Sequence, residues 1–248
     1  MKFKILILLV LVSTISFGND LPDENFHFVV KYFMLSSLDM RMKIFNDVIY
    51  EGKPSKRIEV TTKTKKLYNK IFSIDNYYST YYNQENYSCQ YHKKLIQQPN
   101  VEQELYIEYK NGKAHYSIGE IRDVGDSVLD FFSLLMYTRT LDTEDYATSQ
   151  VTIDMEGELF DVTFDVQKEE FIKVGGDKIL TEKVNLIYKK QIPGQESILD
   201  YTDIFFWKIA EEGGDKFIWV EKGGQRRIVK ARFSEGRSWL EARLVEDW

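Results

Sequence analysis

The feature that most constrains this chain is an alternation of apolar and polar residues with a period of two, recurring from Phe26 onward. Successive side chains of a β-strand point to opposite faces, so the alternation marks strands with one face in a core and the other in water. Phe26, Phe28, Val30, Tyr32 and Met34 alternate, as do Met40, Met42 and Ile44. Ile58 and Val60 continue the pattern on a segment whose other face is Arg57, Glu59 and Thr61. The clearest hairpin spans 104–118: Leu105, Ile107 and Tyr109 run up to Asn111-Gly112, and Ala114, Tyr116 and Ile118 run back. An Asn-Gly pair accepts the positive φ angles that a tight hairpin needs.

After residue 150 the chain reads as a meander. Val151, Ile153 and Met155 alternate, a turn falls near Gly157, and Phe160, Val162, Phe164 and Val166 return. Further strands are expected at 169–174, 178–190, 201–210, 216–222, 226–234 and 238–246. Gly175-Gly176, Gly213-Gly214 and Gly223-Gly224 lie between them. A phosphate-binding loop needs a following helix and a Lys-Ser/Thr pair, and these glycines have neither, so they read as turn residues.

One helix stands out against this background. Asp126-Ser127 offers a cap, and Val128 to Tyr137 follow with only Asp130 and Ser133 breaking an apolar wall. A helix that is apolar almost all round must be enclosed. In a β-rich chain it fits most simply inside the concave face of a bent sheet. A weaker helical stretch is expected at 65–72, with Leu67, Tyr68, Ile71 and Phe72 on one side. Arg139 follows the main helix, where a cation complements the dipole and can cap terminal carbonyls. The expected fold class is therefore mostly β: a curved antiparallel sheet, half or open barrel, with one or two helices packed in its concave face.

The first residues read as an export signal. Lys2 and Lys4 precede an apolar run from Ile5 to Val12, and Ser16-Phe17-Gly18 places small residues where a signal peptidase reads. The run is short of the roughly 20 apolar residues that span a bilayer, and no later stretch reaches that length. Residues 1–18 are thus expected to be a signal peptide and 19–248 a single half-barrel domain. Cys89 is the one cysteine, so neither an internal disulfide nor a lipid anchor at the cleavage site is expected. It reads as a buried small hydrophobe. The chain carries 33 Lys and Arg against 39 Asp and Glu, a sign that disfavours nucleic acid as a partner.

Catalytic signals are weak. His27, His92 and His115 fit no metal or catalytic spacing, and pairs such as Asp161 and Asp165 follow strand periodicity as solvated faces. No catalytic residue, metal or cofactor is expected. Tyr68, Tyr77, Tyr78, Tyr81, Tyr82, Tyr87 and Tyr91 form a dense run that suits either the wall of a half-wet groove or an ordinary packed strand. Lys53, Lys56, Arg57, Lys63, Lys65, Lys66 and Lys70 could bind an anionic head group or form a solvated face.

Residues 126–141, DSVLDFFSLLMYTRTL, resemble the Leu-Ser-x-Leu-Tyr-Tyr-x-Arg core of an exported bacterial family, domain of unknown function 3108. Arg57–Thr62, Leu67–Tyr82, 158–176 and the closing FIWVEKGGQRRIVKARFSEGRSWLEARL resemble it as well, so the likeness covers roughly 40–246. Glu221-Lys222 stands where that family has an aspartate pair, and Thr138 replaces the second tyrosine of the helix motif. The resemblance implies a periplasmic protein with a fold similar to the lipoprotein-localisation carriers, which are half barrels with helices plugging an apolar concavity. It carries over no catalytic residues.

The expected role is binding or carrying a lipid or acyl chain, free or on a lipoprotein. Phe131, Phe132, Leu135 and Met136 would serve as plug or lid, and Tyr77 and Tyr81 as groove wall. The alternative is a non-catalytic module of envelope assembly with a protein partner and a filled concavity; a hydrolase ranks third. The space between the sheet and the 127–137 helix decides between the first two: open and apolar for a carrier, filled for a module.

Overall fold

The computed structural model describes residues 23–32, 35–70, 72–210, 213–235 and 238–247. The expected signal peptide, Met34 and Ile71 lie outside them. One antiparallel sheet of fourteen strands dominates. Its first half runs β1 (Glu24–Tyr32), β2 (Leu35–Tyr50), β3 (Lys53–Thr64), β4 (Asp75–Asn83), β5 (Cys89–Gln98), β6 (Val101–Lys110), β7 (Lys113–Tyr116) and β8 (Ile121–Asp123). Helices α1 (Phe131–Thr138) and α2 (Thr143–Tyr146) follow, then β9 (Gln150–Met155), β10 (Glu158–Val174) and β11 (Asp177–Lys190). Helix α3 (Ile204–Ala210) precedes β12 (Asp215–Glu221), β13 (Ile228–Glu235) and β14 (Ser238–Asp247).

Each half is a meander of sequence neighbours, and the two halves join where β1 pairs with β14. The strand order ends at β8 and β9, so strand pairing does not close the sheet into a barrel. A short extended segment spans part of the gap. Cys89 N, at the start of β5, donates to Val128 O at 2.8 Å. Leu129 N donates to Thr152 O at 2.9 Å, and Asp154 N to Leu129 O at 2.8 Å. This segment delivers α1 into the concave face. The Asn111-Gly112 turn has positive φ at both residues, 52° and 71°, as the hairpin requires.

The alternation seen in the sequence becomes one continuous core. Phe26, Phe28, Val30, Met42, Ile44, Ile58 and Val60 are buried with Val162, Phe164, Val184, Leu186, Ile218, Val220, Phe233, Leu240 and Leu244. The helices complete it: Phe131, Phe132, Leu134, Leu135 and Met136 of α1, and Phe205, Phe206 and Ile209 of α3.

Three elements differ from expectation. Segment 201–210 is not a strand, because the Asp203 carboxylate accepts from the amides of Phe205 at 2.9 Å and Phe206 at 3.2 Å and so caps a helix. Phe205, Phe206 and Ile209 then share a buried face while Trp207 is 52 % exposed. Residues 66–70 form a turn instead of a helix, with Tyr68 N donating to Lys65 O and Phe72 N to Tyr68 O; Leu67 is 80 % exposed, while Phe72 stacks on Tyr68 and packs on the core. The main helix starts later than the Asp126-Ser127 cap implies. Asp130 is its N-cap: Ser133 N donates to Asp130 Oδ1 at 2.8 Å, and Asp130 N donates to Ser133 Oγ at 2.9 Å. The two polar residues that interrupt the apolar wall are thus a capping box.

Candidate functional site

The space between α1, α3 and the sheet is small. A cavity of about 70 Å³ is lined mostly by apolar side chains, among them Met42, Val60, Phe131, Phe132, Leu135 and Phe206. Ligand pockets begin at roughly 300 Å³, so this void holds no acyl chain as it stands. Phe132 packs against Tyr78 with ring centroids 5.3 Å apart, and Phe131 meets Phe233 edge-on at 5.7 Å.

Of the residues proposed from sequence, Phe131, Phe132 and Leu135 line this void together. Met136 is buried at the far end of α1 and lines a separate pocket of about 270 Å³. Tyr77 and Tyr81 do not join them. Strand parity points Tyr78, Thr80 and Tyr82 inward and leaves Tyr77 and Tyr81 half-buried on the opposite face. There Tyr77 donates to Glu59, and Tyr81 accepts from Arg57 Nη1 at 3.1 Å while packing on Tyr50 at 4.8 Å. Tyr78 packs on Phe132 of α1, and Tyr87 meets Tyr137 of α1 edge-on at 6.0 Å.

The interior also holds charge that the sequence reading missed. Lys94 of β5 is fully buried and donates to Glu156, with Thr202 Oγ1 at 3.3 Å and Asp203 Oδ2 at 3.5 Å. Tyr78 donates to Asp203 Oδ1 at 3.0 Å. A buried ammonium is tolerated only when paired, and here the pairing ties the N-terminus of α3 to β4, β5 and the β9–β10 turn. Burial pushes the Glu156 carboxyl above its ordinary range, and like charge from Asp203 adds to this while Lys94 opposes it.

A second group surrounds the α1 cap. His92 Nδ1 lies 2.9 Å from Asp130 Oδ2, and Thr80 donates to the same oxygen at 2.5 Å. Burial alone would raise the Asp130 carboxyl, but the hydrogen bonds from His92, Thr80 and Ser133 hold it below the usual range. A third carboxylate, Asp154, accepts from Tyr116 at 2.6 Å and Tyr109 at 2.9 Å, and burial raises it. Cys89 is buried and its thiol is pushed up mainly by desolvation, which leaves it protonated and inert as a nucleophile. Parity was the available signal: His92 and Lys94 fall on the same face as buried Ile96.

Arg139 is the C-cap residue of α1, yet its guanidinium leaves its own helix. It reaches Glu24 Oε2 at 2.6 Å and the carbonyls of Gln225 and Arg226 at 3.0 Å each. Its side chain therefore secures the turn before β13 rather than the helix end. Among the described residues, no group of three or more His, Cys, Asp or Glu is placed to hold a metal ion. No described helix is long and apolar enough to cross a membrane.

The architecture has a solved counterpart. A β-barrel-like protein of domain of unknown function DUF1849 from Brucella abortus matches with a TM-score of 0.51 at 10 % identity, over 91 % of this chain and 95 % of that one. The fold is β-barrel-like. No family model and no curated protein matches the sequence, so the resemblance to domain of unknown function 3108 gains no support there. At this identity the likeness bears on fold alone.

Proposed function

We propose that the chain is an exported, periplasmic, non-enzymatic binding protein whose half barrel takes up a hydrophobic ligand when α3 swings away as a plug. The observation that carries the reading is the apolar void itself. It is covered by Phe205, Phe206 and Ile209 from a helix of only seven residues, and beneath them lie Val30, Met42, Val60, Phe233 and Leu240. Removing that cover would expose these side chains together as an apolar surface, the kind an acyl chain requires. The charged start of the chain and the apolar run after it support export.

The second reading, an assembly module with a permanently filled concavity, draws on the small size of the void. Mass spectrometry of organic extracts from the purified mature protein, with titration by a fluorescent fatty acid, separates the two. A copurifying lipid or saturable uptake supports the carrier. Neither lipid nor uptake, together with a protein recovered by periplasmic cross-linking, supports the module.

A further inference from the structure

We propose that the pocket at the C-terminal end of α1 holds the anionic head group of a single-chain amphiphile, with Lys56 as the counter-charge. The inference rests on the carrier reading and names its ligand class. The pocket, about 270 Å³, has an apolar floor of Ile44, Tyr82, Tyr87 and Met136. Tyr82 and Tyr87 stack there with centroids 5.7 Å apart.

Two cations and the Glu24 carboxylate line the pocket, and the cations differ in availability. Arg139 spends its donors on both oxygens of Glu24 and on the carbonyls of Gln225 and Arg226. Lys56 pairs with Tyr82 across β3 and β4, which places it on the same inward face as Ile58 and Val60. It has no hydrogen-bond or ion-pair partner among the described residues, and it is half-buried. Desolvation lowers its affinity for a proton, and the nearby Glu24 carboxylate opposes this without cancelling it, so the ammonium is only partly compensated. An anionic oxygen bound beside it supplies that compensation.

The pocket also points the right way. Ile44 on its floor is one inward step along β2 from Met42, about 7 Å, and Met42 lines the apolar void under α3. A head group beside Lys56 thus leaves its chain running beneath α1 toward that void. Carboxylate and phosphate monoester heads share this chemistry.

The test measures binding of dodecanoate, dodecyl phosphate and dodecanol by calorimetry to the mature protein, Lys56→Met and Lys56→Arg. The expected result is a preference of about tenfold or more for either anion over the alcohol. Lys56→Met removes that preference, and Lys56→Arg retains it. Melting curves should match wild type, because Lys56 has no partner among the described residues to lose. Equal affinities for all three ligands, or a preference that survives Lys56→Met, would overturn the head-group site and leave the carrier reading standing. No binding of any of the three would overturn the carrier reading and this inference with it.

Discussion

Arg139 and Arg226 each cap the other's backbone: Arg139 Nε donates to Arg226 O at 3.0 Å, and Arg226 Nε donates to Arg139 O at 2.9 Å. The exchange locks the end of α1 to the turn between β12 and β13. Arg226 holds this position with φ at 51° and also donates to Leu141 O and to Tyr146 at 3.1 Å. Its guanidinium lies 3.4 Å from Glu182, whose side chain is fully buried.

Arg226→Ala should therefore be among the costliest single changes in the chain. It leaves the buried Glu182 carboxylate with the Thr143 hydroxyl but no counter-charge and takes the donor from two carbonyls, for a loss of about 3 kcal/mol. In a chain of this size that lowers Tm by roughly 6–12 °C. Arg226→Lys should recover little, because an ammonium cannot span carbonyls and carboxylate as a planar fork does. A melting temperature within about 2 °C of wild type would contradict the lock, since that corresponds to at most about 1 kcal/mol.

Asp130→Asn tests the network at the α1 cap. The Asp130 pKa is held below its unfolded value, so its ionised form stabilises the fold above that value. The contribution fades as pH falls through the folded pKa. Asn keeps the cap but loses the charge-assisted bonds from Thr80 and His92, a loss of about 2 kcal/mol at pH 7. The gap between variant and wild type should narrow steadily below the ordinary aspartate range. A constant gap across that range, measured by denaturant unfolding, would show that the charge is not responsible.

Gly157 makes a simpler prediction. Its φ is 91°, and a Cβ there would sit 2.5 Å from Ile198 Cγ2. Gly157→Ala should destabilise by about 1–3 kcal/mol through backbone strain plus the clash. Adding Ile198→Ala should relieve the clash and leave the strain, so the double variant should recover only part of the loss. Full recovery would mean that the backbone conformation is unstrained.

Asp203→Ala tests the tether of α3. It removes the helix cap, the Tyr78 acceptor and one of the two carboxylates facing Lys94. A loss of roughly 2–3 kcal/mol should accompany faster uptake of a fluorescent fatty acid, because the plug is released. Slower or unchanged uptake in a folded variant would separate the tether from ligand access.

The strands were legible because alternation reports directly on burial, and the Asn111-Gly112 hairpin because its turn chemistry is specific. The 201–210 segment was not. Ile204-Phe205-Phe206-Trp207-Lys208-Ile209-Ala210 is rich in aromatic and β-branched residues that favour strands, and only the preceding Asp203 cap outweighs them. The start of α1 was misplaced for a related reason: Asp130 and Ser133 read as interruptions until their spacing is taken as a capping box. The tyrosine run does not show which parity faces inward, so the sequence cannot separate Tyr77 and Tyr81 from Tyr78 and Tyr82. The Lys94, Glu156 and Asp203 cluster brings together three elements distant in the chain, and no local pattern marks such convergence.

Amide hydrogen exchange along α3 tests the central claim most directly. If α3 is a removable plug, the amides of Trp207 to Ala210 should exchange through a local opening that costs much less than global unfolding. The amides of Leu134 to Thr138 in α1 should stay protected up to the global limit. Exchange of α3 only through global unfolding, at the same free energy as α1, would contradict the account and leave the filled-module reading in its place.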